Sequence, residues 1–211
     1  MVVAAQTMLI PVSELPPGEI LRIRNSVISQ VVALAASELS MKEEDLVVRD
    51  IDPYTDLGWD WAAATNGTAH SWVHSATGND AGYHTFNGDT TMADQRYVAI
   101  FGVRDARWNI GSTQGATDSS SYYKPCQPAS AIKFSVGGST KAIWDIMCLN
   151  AYINNAVAVT PAAIIIPQNV IFNIYHQVKT WVSATGRQTD IDMNLQLIGV
   201  VVEPRGKVIS P

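Results

Sequence analysis

The hydrophobic and polar positions of residues 161–204 alternate in a way that predicts β-strands. Between residues 191 and 197 every second position is apolar, and Asp192, Asn194 and Gln196 occupy the positions between. A period of two is typical of a strand that places one face on a core and the other in water. The C-terminal part of the chain is therefore predicted to be β-structure.

A second run with the same period precedes this strand. Val170, Phe172 and Ile174 share one face, while Asn173 falls on the other. The two runs are separated by the polar, glycine-containing segment 183–188. A short connection of this kind favours an antiparallel hairpin between the two strands.

Shorter apolar runs predict further strands upstream. Gly137 and Gly138 separate two of these runs and can adopt the positive φ angles that a tight turn requires. The connection at these glycines is therefore predicted to be a second hairpin. The additional strands are predicted at 46–51, 97–103, 132–136, 141–147 and 153–159.

One segment near the start of the chain has a helical period instead. Pro16, Pro17 and Glu19 are favourable residues for the beginning of a helix. Apolar residues then recur at steps of three and four, which predicts an amphipathic helix over 18–39. The β-branched content leaves a strand at its start as the competing interpretation. The apolar positions are Ile20, Ile23, Val27, Ile28, Val31, Ala35 and Leu39.

These elements predict a mainly β protein with a single domain over residues 1–211. The expected architecture is an antiparallel β-sandwich of the jelly-roll type with an N-terminal amphipathic helix and two long loops. Its parts are an N-terminal arm at 1–15, the helix at 18–39, the sandwich at 46–204 and a C-terminal tail at 205–211.

The two long loops, 62–95 and 104–127, carry aromatic residues. Loops of this length are uncommon within a compact domain unless they have a function. Aromatic side chains on such loops are favourable when a neighbouring subunit covers them. We therefore predict a subunit interface that contains Trp72, Tyr83, Phe86, Trp108, Tyr122 and Tyr123.

The composition also favours association. Hydrophobic residues make up 47% of the 211 residues, which is enough for a sizeable core, while charged residues make up only 16%. A surface with few charges repels copies of itself weakly. The net charge of −5 and the absence of a basic cluster argue against contact with nucleic acid.

The segments that would indicate secretion or a membrane span are not recognisable in this sequence. The first residues lack a basic region, and the apolar window 27–36 is too short to cross a bilayer. We therefore expect synthesis in the cytoplasm and no membrane partner. Cys126 and Cys148 have neither a CxxC motif nor a histidine at metal-binding spacing, so they are predicted to be structural thiols.

Two groups of potential metal ligands occur, namely three histidines in the first long loop and four aspartates just before it. The HxxxH spacing suits zinc when both rings lie on one face of a helix, but turn residues surround it here. The aspartates do not match the twelve-residue calcium loop. No metal and no cofactor are predicted. The residues considered are His70, His74, His84, Asp50, Asp52, Asp56 and Asp60.

The segments AIKFSVGG, KAIWDIM, PAAIIIPQNVIFNIYHQ and NLQLIGVVVEP, within residues 131–204, carry a resemblance. Their succession resembles that of jelly-roll virion proteins of bacterial and archaeal viruses, which include capsid, cement and tail-associated subunits. This resemblance implies homotrimers or larger shells, other virion proteins as partners, a place in the virion and no catalysis. The helix at 18–39 is not part of that pattern.

Two other classes of function were compared with the sequence. Gly-x-Ser-x-Gly, a P-loop and GxGxxG after a strand are absent, so no catalytic residues are predicted. A carbohydrate- or receptor-binding sandwich, such as a viral tail or surface adhesion module, is the stronger alternative. Loops rich in aromatic residues, Asp and Asn would suit stacking on sugars and hydrogen bonds to their hydroxyl groups.

Overall fold

In a computed structural model, the described residues are 8–60, 69–71, 91–109, 130–145, 157–178 and 190–207. They form a mainly β structure with two antiparallel sheets and one α-helix. The helix α1 spans Glu19–Leu39. The strands are β1 Ile10–Pro11, β2 Leu46–Ile51, β3 Tyr54–Asp60, β4 Ala69–Ser71, β5 Tyr97–Asn109, β6 Ser130–Val136, β7 Ser139–Asp145, β8 Val157–Ile166, β9 Phe172–Val178 and β10 Asp190–Pro204.

Helix α1 forms where the apolar period of the sequence predicted it. Gly18, with φ of 83°, precedes the first turn, and Ser40, with φ of 53°, follows the last. The positions that the helix buries are spaced four residues apart, so they lie on one face. These buried residues are Ile23, Val27, Val31 and Ala35.

The first sheet is built around β10. Its order is β1-β8-β5-β10-β2, and β3 also pairs with β10. Strands β2 and β3 lie one after the other along the same edge of β10, separated by Asp52 and Pro53. The N–H of Leu197 donates to the carbonyl of Pro53 at 2.7 Å, which keeps this break against β10. Together β2 and β3 therefore act as one long edge strand.

The second sheet has the order β4-β9-β6-β7. The predicted hairpin between β6 and β7 is confirmed, with φ of 61° at Gly137 and 74° at Gly138. Positive φ at both turn residues matches the twist of the strands that the turn joins. Glycine adopts this conformation without steric strain, which explains its presence at both positions.

The order of the strands in the two sheets follows a nested pattern. Strand β6 pairs with β7, β5 with β8, β4 with β9 and β3 with β10. Two further pairings, β5 with β10 and β6 with β9, join the successive pairs. The chain thus runs from β3 to β10 as one folded antiparallel ribbon whose strand pairs alternate between the two sheets.

Two apolar clusters lie on opposite faces of the first sheet. One contains residues of both sheets, such as Val98, Ile100 and Phe134, and Phe134 contacts Trp144 with ring centroids 4.5 Å apart. The other joins helix α1 to the alternate residues of the same strands, such as Ala99. The first sheet is therefore covered by the second sheet on one face and by the helix on the other.

The structure corrects three predictions about strands. Strands β9 and β10 do not form a hairpin, because β9 lies in the second sheet and β10 in the first. Strand β5 continues to Asn109, so Trp108 belongs to a strand and not to a loop. The segment Tyr54–Asp60, for which no strand was predicted, is strand β3.

Candidate interaction surface

The structure describes only one of the six aromatic residues that were predicted to form an interface. The backbone of Trp108 pairs with that of Met193, within the contact between β5 and β10. The interface therefore stays a prediction. The other five residues, Trp72, Tyr83, Phe86, Tyr122 and Tyr123, lie outside the described residues.

The structure describes one of the three histidines of the first long loop and neither cysteine. His70 lies in β4, with its backbone opposite His176, while His74, His84, Cys126 and Cys148 lie outside the described residues. Within the part of the chain that the structure describes, no three histidine, cysteine or acidic side chains are grouped as metal ligands.

Two of the four aspartates have arginine partners. Asp50 accepts two hydrogen bonds from Arg24, both at 2.8 Å, and Asp52 accepts one from Arg104 at 2.7 Å. Asp50 therefore connects strand β2 to the helix, and Asp52, just after β2, connects the end of that strand to β5. Asp56 and Asp60 are in β3, whose backbone pairs with β10. The backbones of the four aspartates therefore follow one edge of the first sheet.

A buried carboxylate at the end of β10 was missed by the sequence analysis. Glu203 is only 2% exposed, and its two oxygens accept hydrogen bonds from Arg96 at 2.7 Å and Arg49 at 3.2 Å. A buried charge requires such partners. The alternation of the strand could have predicted this burial, because Glu203 follows Val201 by two residues and therefore points to the same, core-facing side. This cluster ties β2, β10 and the start of β5 together.

Open sheet edges are the parts of the fold at which another chain could pair, and proteins protect them with bulges, prolines or lysines. On β7, Lys141 is an exposed extra residue that has no partner in the register with β6. On β8, residues 160–163 lie opposite a single residue of β5, and Pro161 is exposed there. Both of these edges therefore carry protective features.

Strand β2 differs from these edges. Its six residues pair with Pro204–Gly199 of β10 in an unbroken register, and it contains neither proline nor a bulge. Its two charged side chains are paired within the chain, Arg49 with Glu203 and Asp50 with Arg24. Among the described residues, β10 is the only strand paired with β2. The edge of β2 is therefore unprotected by the usual features.

The apolar surface of helix α1 extends beyond the residues that it buries. Leu21, Ile28 and Val32 follow one another at i, i+7 and i+11, so they form a stripe along the helix. Leu21 is 61% exposed, and the other two are half-buried. Arg24 adjoins Leu21 and Ile28 on the helix surface and reaches Asp50 of β2. The stripe therefore lies on the side of the helix that faces β2.

The outer face of the second sheet carries a mixed polar and aromatic row. Lys133 of β6 lies between Ile143 of β7 and Tyr175 of β9 in the register, and its Nζ is 5.7 Å from the centroid of the Tyr175 ring. All three side chains are partly exposed. This face could contact a polar ligand or another protein surface.

The N-terminal arm is partly placed by the structure. Leu9 is buried in the cluster between the sheets, and β1 pairs with Val159 and Ala158 of its own β8. Residues 9–11 of the predicted arm therefore contribute to the fold of their own chain. Residues 1–7 lie outside the described residues.

The described helix is not long and apolar enough to cross a membrane. Among the described residues, the geometry thus presents the edge of β2, a neighbouring apolar helix stripe and an aromatic face on the second sheet. Comparison with known protein families, with curated proteins and with solved structures finds no match to this chain.

Proposed function

We propose that this chain is a non-enzymatic virion structural protein that assembles with copies of itself. Its part in the particle would be that of a capsid shell subunit or of a cement subunit that decorates the capsid. The proposed fold is a jelly-roll sandwich, and the proposed partners are copies of the chain and other virion proteins.

The observation that carries this proposal is the nested pairing of the strands. Strand pairs β6–β7, β5–β8, β4–β9 and β3–β10 alternate between two facing sheets. This is the connectivity expected when eight antiparallel strands form two Greek keys, the arrangement of a jelly roll. Jelly rolls occur in viral capsid proteins, and the resemblance of residues 131–204 to virion proteins supports the same class.

The distribution of charge supports self-association. Only 16% of the residues are charged, and several of the described charges are paired within the chain. Pairing of this kind lowers the repulsion that would separate identical subunits. A surface that is weakly charged and rich in polar groups is compatible with contact between copies of one chain.

A carbohydrate- or receptor-binding module is the second candidate, because lectins also use the jelly roll. The observation that favours it is the half-exposed ring of Tyr175 on the outer face of the second sheet, with Lys133 beside it. An aromatic ring can stack on a sugar, and a lysine can bind its acidic groups. Such a module would be part of a viral tail or surface.

The mass of the purified native protein distinguishes these functions. We expect light scattering and electron microscopy to detect trimers or larger closed assemblies at micromolar concentration. A chain that remains monomeric at every concentration would contradict the structural role. Saturable binding in a glycan screen that is lost in Tyr175→Ala, with Ser135→Ala as the control on the same face, would favour the adhesion module instead.

A further inference from the structure

We propose that β2 forms the contact between two copies of this chain. In this arrangement β2 pairs antiparallel with β2 of a second copy, and the first sheets of the two subunits become one continuous sheet. The inference deepens the proposed self-assembly and rests on it, because it assigns the contact that joins two chains across a two-fold axis within the larger assembly.

The choice of β2 follows from a comparison of the open edges. Lys141 and its bulge protect β7, Pro161 and a four-residue bulge interrupt β8, and β4 has only three residues. Strand β2 has six residues in an unbroken register with β10. Strand β3 continues the same edge with seven residues, but it contains Asp56 and Asp60, and charged residues on an edge strand oppose pairing with a second copy. An unprotected edge of this length presents a row of N–H and C=O groups that another strand can pair with.

The charges of β2 do not oppose such pairing. Charged side chains on an edge strand normally repel a second copy. Here Arg49 is held by the buried Glu203, and Asp50 is held by Arg24 of the helix. The remaining residues of the strand are apolar, with Leu46 and Val48 packed on the helix side and Ile51 on the side of the second sheet. The edge is therefore largely apolar. Asp50 is paired with Arg24, and Arg49 shares Glu203 with Arg96, so the register of the contact has to keep the two Arg49 side chains apart.

The alternation of β2 selects the register of the contact. A two-fold axis perpendicular to the sheet keeps both helices on the same side, which requires residues of equal parity to lie opposite each other. An axis at Arg49 would place two guanidinium groups opposite each other, and like charges in that position are destabilising. An axis at Val48 places two half-buried valines together and sets Val47 opposite Arg49 of the second copy. An axis at Val47 would pair only residues 46–48 of the two strands, because residues 43–45 form a 3-10 turn. We therefore place Val48 at the axis, where residues 46–50 can pair.

The helix stripe gives this contact additional surface. A seam of six residues is about 20 Å long, which is short for an interface that typically buries about 800 Å² on each subunit. Ile28, Val32 and Leu21 lie on the side of α1 that faces β2, and each is half-buried or exposed. In the paired form these side chains border the joined β2 strands in both subunits. Ile28 and Val32 pack partly against the helix–sheet cluster of their own chain, and the contact would cover the surface that they and Leu21 leave exposed.

A cysteine placed at the proposed axis tests this contact. Directly opposite residues in antiparallel strands have Cβ atoms about 4.5–5.5 Å apart, and a disulfide requires about 3.5–4.5 Å, so a small shift allows the bond. The variant is Val48→Cys in a chain in which Cys126→Ser and Cys148→Ser remove the native thiols. The matched control is Lys141→Cys on β7 in the same background.

Under mild oxidation we expect Val48→Cys to form disulfide-linked dimers nearly completely. At every concentration above that at which the assembly dissociates, the rate of cross-linking should not depend on dilution. The Lys141→Cys control should remain at least tenfold less cross-linked. Analysis on a non-reducing gel, with circular dichroism to verify folding, gives the result.

The possible failures are distinct. If the assembly forms but Val48→Cys does not cross-link, or if Lys141→Cys cross-links instead, the β2 contact is refuted and the proposed assembly is retained. If the native chain is monomeric, the contact and the proposed assembly both fail. Equal cross-linking of the two variants at a rate proportional to concentration indicates random collision and also refutes the contact.

Discussion

Leu197 illustrates how far alternation predicts the surroundings of a single residue. Its side chain is fully buried between the sheets, whereas the adjacent Gln196 is partly exposed and accepts a hydrogen bond from Arg104 at 3.0 Å. Both placements agree with the period of two in the sequence. Glu203 shows the limit of the same argument. Alternation places it on the core-facing side, but it does not identify the two arginines, 154 and 107 positions away in the chain, on which the burial of its charge depends.

Leu197→Asp should lower the free energy of unfolding by about 3 kcal/mol or more, because it places an unpaired carboxylate in the apolar core. Gln196→Glu is the matched control. It keeps the acceptor for Arg104, so its effect should stay within about 0.5 kcal/mol. Urea unfolding followed by circular dichroism measures both variants. Equal losses of stability in the two variants would contradict the assigned register.

Tyr97 predicts a dependence of stability on alkaline pH. Its buried hydroxyl donates to Oε2 of Glu38 at 2.8 Å, and the pKa of Tyr97 is raised above its usual value, first by burial and then by this hydrogen bond and the nearby carboxylates of Glu38 and Asp94. The neutral form is therefore favoured in the folded chain. Its contribution to stability is complete below the unfolded pKa of about 10 and is lost as the pH rises further.

Tyr97→Phe should cost about 1–2 kcal/mol at pH 8, because the hydrogen bond to Glu38 is lost. The difference from the native chain should narrow between pH 10 and pH 12, since only the native chain can lose the tyrosine proton on unfolding. Glu38→Gln, which retains Tyr97, is the control. Its difference in stability from Tyr97→Phe should also narrow over this pH range, because burial is the largest cause of the raised pKa of Tyr97. A difference in stability between the native chain and Tyr97→Phe that stays constant from pH 10 to pH 12 would contradict the raised pKa of Tyr97.

Pairs of strands were predictable to different degrees. The hairpin of β6 and β7 follows from two adjacent glycines, because the turn itself specifies the neighbour. The neighbours of β9 and β10 do not follow from local sequence, since both strands have the same alternation and either sheet can bury it. Phe172 and Leu197 lie in the same core cluster, but their strands reach it from opposite sheets. Alternation predicts a buried face without predicting which strand is adjacent.

Gly199 is a point at which two strands approach too closely for a side chain. A Cβ there would lie 2.7 Å from the carbonyl oxygen of Ala99, beside an irregularity in the register of β10 with β5. Gly199→Ala should therefore cost about 1–3 kcal/mol through overpacking. Gly206→Ala, which meets open space, is the control and should be close to neutral. Thermal unfolding compares them, and a neutral Gly199→Ala would show that the two strands can separate without cost.

At the scale of the whole molecule, the sequence predicted a mainly β chain with one helix and apolar surfaces. The charge pairs that join distant segments were not predictable, because Arg24 and Asp50 or Arg96 and Glu203 become neighbours only after the sheets form. Arg24 pairs with Asp50 of β2, and Glu203, which also binds Arg96, pairs with Arg49 of β2. The strongest physical reason to assign a contact to this edge therefore appears in the folded chain and is absent from the local sequence.

If association through the β2 edge stabilises the fold, the melting temperature should depend on protein concentration, because subunits that bind only in the folded state shift the unfolding equilibrium by mass action. A tenfold increase in concentration should raise it by about 1–3 °C for a chain of this size. Val32→Lys, which charges the helix stripe beside β2, should remove this dependence. Ala33→Lys, at an exposed position on another side of the helix, should retain it.

Differential scanning calorimetry over a hundredfold range of concentration measures the slope of melting temperature against concentration for each chain. A native slope of zero, or equal slopes for Val32→Lys and Ala33→Lys, would show that the helix stripe and the β2 edge do not couple assembly to folding.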